Sequence, residues 1–260
     1  MADGGESTRL ALLESAARLF DEQGYAGTSV SAVARGAGVT SGALYFHFGG
    51  KEDLALALVE EHFASWPPMI ERVLALPATA LEHIVLLSFE VARAFRDDVV
   101  VRAGSRLWTE RKGINVVMPR PFIGWIETMA EMLAQARSEG GIGAGVDADS
   151  AASVLVCAFF GTHIVSDALD GRELIEDRVT QLWLHFMPAL RPSIDPAAIL
   201  NRVQRLMHGQ TRRQGQRQTQ SPTQSLTQRQ IPDRIPDQIP VHAPDQSEIP
   251  PWTSRTLPVM

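Results

Sequence analysis

Apolar positions along most of this chain recur every third or fourth residue, the spacing that lines one face of an α-helix. Leu10, Leu13, Ala17 and Phe20 form the first such stripe, and Gly24 closes it. A longer one runs through Leu81, Ile84, Val85, Ser88, Val91, Ala92 and Phe95. Phe122, Trp125, Ile126, Met129, Leu133 and Ala136 give a third; Ile175, Val179, Leu182, Trp183, Phe186 and Leu190 give a fourth, ended by Arg191-Pro192. Residues 151–165 (AASVLVCAFFGTHIV) are apolar nearly all round, which predicts a helix covered on most sides. No β-branched alternating runs with hairpin turns between them occur, so the pattern predicts an all-α fold.

Punctuation divides the helices. Trp66-Pro67-Pro68 stops the helix that begins near Lys51, because proline lacks an amide donor and clashes with the preceding turn. Short helices separated by Gly24, Gly36, Gly38 and Gly49-Gly50 come before it, and long ones follow. Residues 1–66 are therefore expected to form a small helical module and residues 67–208 a larger helical body. From Gly209 onward the chain holds ten glutamines and eight of its sixteen prolines, with the near-repeat QIPDRIPDQIP. So few large apolar groups cannot offset the entropy of ordering, and 209–260 is expected to be a disordered tail.

With 45% hydrophobic residues in 260, the chain can bury a sizeable core, yet no run reaches the ~18 apolar residues of a membrane span. Its start lacks the pattern of a signal peptide. The single cysteine, Cys157, excludes an internal disulfide framework and a cysteine-cluster zinc site. The expectation is a soluble cytoplasmic protein without a membrane partner. Its net charge of −6 is unpromising for a nucleic-acid binder. That charge is uneven: residues 1–66 carry four basic and nine acidic groups, whereas residues 191–260 carry nine and five.

The stretch from Thr28 to Lys51, TSVSAVARGAGVTSGALYFHFGGK, points to DNA nonetheless. Thr28 or Ser29, both assigned to the DNA-contacting set, can cap a short helix whose inner face is Val30, Val33 and Ala34. Gly36-Ala37-Gly38 then breaks it, Val39 plugs the angle, and Thr40 caps a second helix, Ser41 to Phe48. A recognition helix enters the major groove by its N-terminal end, where bulky side chains would hold the backbone away. Ser41, Gly42 and Ala43 permit that approach, and the free amides there attract phosphate. Thr40 and Ser41 hydroxyls can bond phosphate or base edges, and Ala43 can touch a thymine methyl. Tyr45, His47 and Lys51 are assigned to backbone phosphates; Leu44, Phe46 and Phe48 are assigned to the module's core.

Those residues carry a resemblance. GVTSGALYFHFGGKEDLALAL, with the leading LFDEQGYAGTSV, resembles the DNA-binding segment of TetR-family repressors over about residues 8–66. The resemblance implies a three-helix helix-turn-helix module on a dimeric repressor released by a ligand. Many members have lysine where this chain has Ser41. In the body, VVVRAGSRLWTE, PRPFIGWIE and LVCAFFGTHIV are similar to one branch, the γ-butyrolactone (autoregulator) receptors that control secondary metabolism in filamentous actinomycetes. By that resemblance Trp125 lines the pocket floor and Thr162 bonds the lactone or carbonyl oxygen of the ligand. Read without it, Trp125 is core packing and Thr162 back-bonds to a carbonyl one turn earlier. Phe89, Arg93, Arg106, Trp108 and Phe159 are further pocket candidates, with Arg93, Arg102 and Arg106 expected to pair with acids on neighbouring helices. Some relatives of the branch answer to antibiotics or their precursors instead, and that alternative stays open.

Dimerisation is assigned to helices 148–169 and 172–190, whose Val154, Phe160, Val179, Leu182, Trp183 and Phe186 exceed what one monomer face needs to bury. Other classes fit less well. His163 and Asp167 lie four apart on a helix, but no third ligand, no G-x-S-x-G elbow and no phosphate-binding glycine loop accompany them. No catalytic residue, metal or cofactor is expected. The proline- and glutamine-rich tail is either an extended partner ligand or a solvated extension.

Overall fold

The computed structural model describes residues 3–119 and 121–218. It is all-α: eleven α-helices and one short 3₁₀ turn, with no strand among the described residues. The N-terminal helices are α1 (Asp3–Gly27), α2 (Val30–Gly36), α3 (Ser41–Phe48) and α4 (Lys51–Ala64). Then come α5 (Trp66–Leu74), α6 (Ala80–Asp97) and α7 (Val99–Thr109), followed by the 3₁₀ turn Arg111–Gly113. The last four are α8 (Pro121–Ser138), α9 (Ala148–Asp170), α10 (Ile175–Leu190) and α11 (Pro196–Gln218).

Local chemistry sets these boundaries. Pro67 and Pro68 occupy the opening turn of α5, where their missing amides cost nothing and bar α4 from continuing. Thr79 and Glu82 form a reciprocal capping box at the start of α6. Asp98 ends α6 and caps α7 with a carboxylate accepting from Val100 N and Val101 N. Gly171, in the left-handed region, ends α9.

Two apolar cores result. The first gathers Leu12, Ala16 and Phe20 of α1, Leu44 and Phe48 of α3, and Leu54 and Leu58 of α4. It is completed by Ala103 and Leu107 of α7, so a helix beyond the Trp66-Pro67-Pro68 break finishes the N-terminal module's interior. At roughly 1.5–3 kcal/mol for each fully buried large side chain, that contribution is structural rather than incidental. The second core lies among α5, α6, α8, α9, α10 and α11 and includes Phe95, Leu133 and Trp183. Phe63, in the last turn of α4, packs against both.

Polar straps reinforce the join between α1 and α7. Arg102 Nε donates to Asp21 Oδ2 at 2.8 Å, and the Tyr25 amide donates to Glu110 Oε2 at 2.7 Å. Arg93 pairs with Glu176 of α10 at 2.9 Å, as the sequence led us to expect. Arg106 instead holds Glu110, four residues on at the end of its own helix, and the Asp21 carbonyl.

Helix α11 has no counterpart in the sequence reading. Its Leu200, Val203 and Met207 are buried against the second core. Its backbone remains helical through Gln218, ten residues into the stretch expected to be tail; residues 219–260, the rest of that stretch, lie outside the described residues.

Helix α9 is long and apolar enough to cross a membrane by length and composition. Its exposed apolar side chains fall on one stripe: Val154, Ile164, Val165 and Leu169 are each more than half exposed. Cys157, Gly161 and Ala168 lie exposed along the same line. This revises the surface set named from sequence. Val179 and Trp183 are fully buried within the monomer, while Phe160, Leu182 and Phe186 are partly buried against its core.

Candidate functional site

Helices α2 and α3 form a helix-turn-helix. Ser29 caps α2, its hydroxyl accepting from Ala32 N at 3.1 Å, and Thr40 caps α3 by accepting from Ala43 N at 3.3 Å. The turn between them passes through Gly38 at φ +70°, which a side chain would strain. Leu44 and Phe48 point into the module. Tyr45 is 56% exposed, with Thr40 and Gly42 exposed and Ser41, Ala43 and His47 half-buried near it. These six residues, together with Phe46, make up the accessible surface of α3 and its cap.

Three assignments move. Phe46 is 85% exposed rather than in the core, because the turn of α3 that buries Leu44 and Phe48 carries the residue between them outward; it stands edge to face against His47 at 5.2 Å. Thr28 is buried, its hydroxyl donating to Gly24 O at 2.8 Å, so it fastens the end of α1 instead of facing outward. Lys51 donates to the Thr28 carbonyl at 2.8 Å and lies over the Tyr25 ring at 4.1 Å, which pins it between α1 and α4.

Gly42 separates fold from function. A Cβ added there would meet only Thr40 Oγ1 at 3.6 Å, an ordinary contact. The chain's own packing does not require glycine at that point.

Among the described residues the body holds two adjoining cavities, each partly open to solvent. The larger of the two, about 430 Å³ including its open mouth, is walled by Ile84, Leu87, Ser88 and Val91 of α6 and by Trp125 and Met129 of α8. Leu155, Val156, Phe159 and Phe160 of α9 and Trp183 of α10 complete it. Two of its polar groups are already paired: Ser88 Oγ donates to Val85 O at 2.6 Å and accepts from Trp183 Nε1 at 2.8 Å. Apart from the Trp125 indole N–H, what remains is hydrocarbon. The second cavity, about 340 Å³, shares Val91, Trp125 and Phe160 with the first and is otherwise lined by His62, Phe63 and Trp66 together with Ser105, Trp108 and Phe122. Trp125 stands edge to face against Trp66 at 5.8 Å, the partition between the chambers.

Of the pocket candidates, Trp125 and Phe159 line the larger cavity and Trp108 the smaller. Trp108 Nε1 is committed to Pro119 O at 2.8 Å. Thr162 and Phe89 are among the lining residues of neither; the Thr162 hydroxyl donates to Ala158 O at 2.8 Å, one turn back. Sequence reasoning missed His62, Trp66, Ser88 and Trp183. The signal for the first two was available: a histidine and a tryptophan four residues apart share one face of the helix running into Pro67.

Burial dominates the buried histidines. It pushes His62 down to about 4. His163, stacked on Phe95 at 3.7 Å, falls to about 3, chiefly by burial and then through Arg172. Arg172 Nε donates to His163 Nδ1 at 3.2 Å while Nη1 pairs with Asp167 at 2.9 Å, so the histidine–aspartate pair is bridged by a guanidinium. That is a structural contact, and among the described residues no group of three or more His, Cys, Asp or Glu is placed to hold a metal.

Comparison with known proteins agrees with this layout. Residues 12–58 match the model for bacterial regulatory proteins of the tetR family, and residues 78–192 match a tetracyclin repressor-like C-terminal domain. The A-factor receptor protein of Streptomyces griseus is 32% identical over 179 residues, 69% of this chain and 62% of that protein's length. A solved structure from work on the molecular basis for control of antibiotic production by bacterial hormones is 44% identical. It has a TM-score of 0.66 and covers 70% of this chain and 97% of its own. The crystal structure of an ArpA-like γ-butyrolactone receptor is 33% identical, with a TM-score of 0.67, covering 79% of this chain and 98% of its own.

Proposed function

The chain belongs to the TetR family of bacterial regulatory proteins, and on that premise we propose that it is a homodimeric repressor whose operator is released by a γ-butyrolactone-type signal. Dimers form through the exposed stripe of α9, where small Cys157, Gly161 and Ala168, set among Val154, Ile164, Val165 and Leu169, let two helices approach across a two-fold axis. Each protomer presents Thr40, Ser41, Gly42, Ala43, Tyr45 and His47 to one half-site, the bare start of α3 entering the groove. The acidic balance of the whole chain is tolerable because helix-terminal amides and two modules share the work.

The signal binds in the apolar chamber beside Trp125. The observation that carries the release step is the position of α4. Its Leu54 and Leu58 lie in the core that seats α3, and its His62, Phe63 and their neighbour Trp66 wall the chamber next to the ligand. A ligand that displaces α4 therefore displaces the reading heads. Release requires that it bind the DNA-incompetent arrangement more tightly, so ligand and operator affinities oppose one another.

Two substitutions separate the roles. Tyr45→Ala removes a phosphate partner and weakens operator binding by about 1.5–3 kcal/mol while leaving lactone affinity unchanged. Trp125→Ala leaves operator binding intact and abolishes release. Fluorescence anisotropy with a labelled operator and calorimetry with a 2-acyl-γ-butyrolactone read both quantities. Equal damage to both by either change would contradict the assignment.

A further inference from the structure

Two residues that line the smaller cavity each carry a buried polar atom without a partner among the described residues. His62 and Trp66 are 4% and 5% exposed, and both line it. His62 Nδ1 and Trp66 Nε1 have no hydrogen-bond partner among the described residues. Their rings meet edge to face with centroids 5.0 Å apart. A buried polar atom left unpaired gives up its hydration and gains nothing, so two side by side on one cavity wall are a prepared recognition element.

Their chemistry is complementary. An indole N–H only donates. The His62 ring is neutral, since burial holds its pKa near 4, and it hydrogen-bonds the backbone of Val101. That bond keeps the ring proton on Nε2 and leaves Nδ1 as an acceptor. One donor and one acceptor are satisfied together by a group that both accepts and donates.

We infer that the chamber beneath Trp66 is the polar end of the ligand site and takes a hydroxyl of the ligand, which accepts from Trp66 Nε1 and donates to His62 Nδ1. This rests on the cavity reading proposed above. The rest of the ligand passes Trp125 into the larger cavity, whose Ser88 and Trp183 satisfy each other and offer hydrocarbon. A carbonyl or an ether oxygen would pair with Trp66 alone and leave His62 Nδ1 unsatisfied. The hydroxyl is thereby anchored on α4 itself and at the first residue of α5, at the joint between ligand and reading head.

The test is calorimetry on the full-chain dimer with two probes, 2-hexanoyl-3-hydroxymethyl-γ-butyrolactone and its 3-methyl counterpart. The hydroxymethyl probe is expected to bind about tenfold more tightly, as one site hydrogen-bonded in place of one left unpaired. Trp66→Phe keeps an aromatic ring and removes the donor; it should weaken the hydroxymethyl probe about tenfold and leave the methyl probe within about twofold. If that variant does not fold, His62→Phe carries the same test, with operator binding and the thermal midpoint as checks on the fold. Equal affinity of the wild type for both probes would overturn the inference and leave the lactone reading standing. Equal weakening of both probes by Trp66→Phe would also overturn it, reducing Trp66 to packing. Failure of both probes to bind a dimer that still holds its operator would remove the lactone reading, and this inference with it.

Discussion

Gly42 is open to a side chain as far as its own protein is concerned, with 3.6 Å to the nearest neighbouring atom. Alanine in a helix is favoured over glycine by roughly 0.5–1 kcal/mol. Gly42→Ala is therefore expected to raise the thermal midpoint while lowering operator affinity about fivefold or more, because the added methyl stands where α3 must meet the duplex. Thermal unfolding and operator anisotropy on the same sample check it, and a variant that binds as well as the wild type would remove Gly42 from the interface. At this scale the sequence was a partial guide. Residue type marked Thr40 as the cap of α3, since capping is a local property. It misplaced Phe46, because a short aromatic-rich helix gives no period by which to tell which aromatics turn inward. It placed Thr28 and Lys51 outside, where each is tied to a backbone carbonyl that only the fold brings near. Thr162 is compatible in sequence with a ligand contact or a back-bond, and the back-bond to Ala158 occupies its hydroxyl proton.

Among the elements, α4 and α7 link reading head and body, and their contact is tight. A Cβ on Gly104 of α7 would lie 2.4 Å from the His62 Cβ, so α7 can sit this close to α4 only without a side chain there. The buried His62 makes this joint acid-sensitive. Its folded pKa is about 4 against an ordinary 6.5, so above pH 6.5 its contribution is complete. As pH falls below that, the unfolded chain takes up a proton that the folded one refuses, and stability declines until the folded pKa is passed. The slope reaches about 1.4 kcal/mol per pH unit, and His163, at about 3, adds a similar one. The thermal midpoint should therefore drop between pH 7.5 and 5, and His62→Phe should flatten part of that drop; a midpoint level across this window would contradict the burial argument. Helices were the most legible feature of the sequence, since Leu81 to Phe95 and Ile175 to Leu190 keep their period throughout. Helix α11 was not legible: three apolar residues, Leu200, Val203 and Met207, are carried by a run otherwise rich in arginine and glutamine. Its burial against the second core is a tertiary property.

At the scale of the whole molecule, the proposed function needs two copies. Ile164→Asp would place an unpaired charge in the α9 stripe, at about 3–5 kcal/mol when buried by a partner and little in a monomer. Size-exclusion chromatography with light scattering should show the variant as a monomer with weakened operator binding, whereas a dimer of unchanged stability would move the interface elsewhere. The sequence indicated that α9 and α10 carry more apolar surface than a monomer needs. It could not say which residues were spare, because Val179 and Trp183 are spent on the monomer's own core while Ile164, Val165 and Leu169 are not.

In the proposed mechanism one movement of α4 makes lactone and operator binding mutually exclusive. The direct measurement is operator affinity of the full-chain dimer, by anisotropy, with and without saturating 2-hexanoyl-3-hydroxymethyl-γ-butyrolactone. Operator affinity should fall at least about tenfold, equal to the loss of lactone affinity when operator is bound first. Calorimetric binding of the lactone with operator affinity unchanged would contradict it.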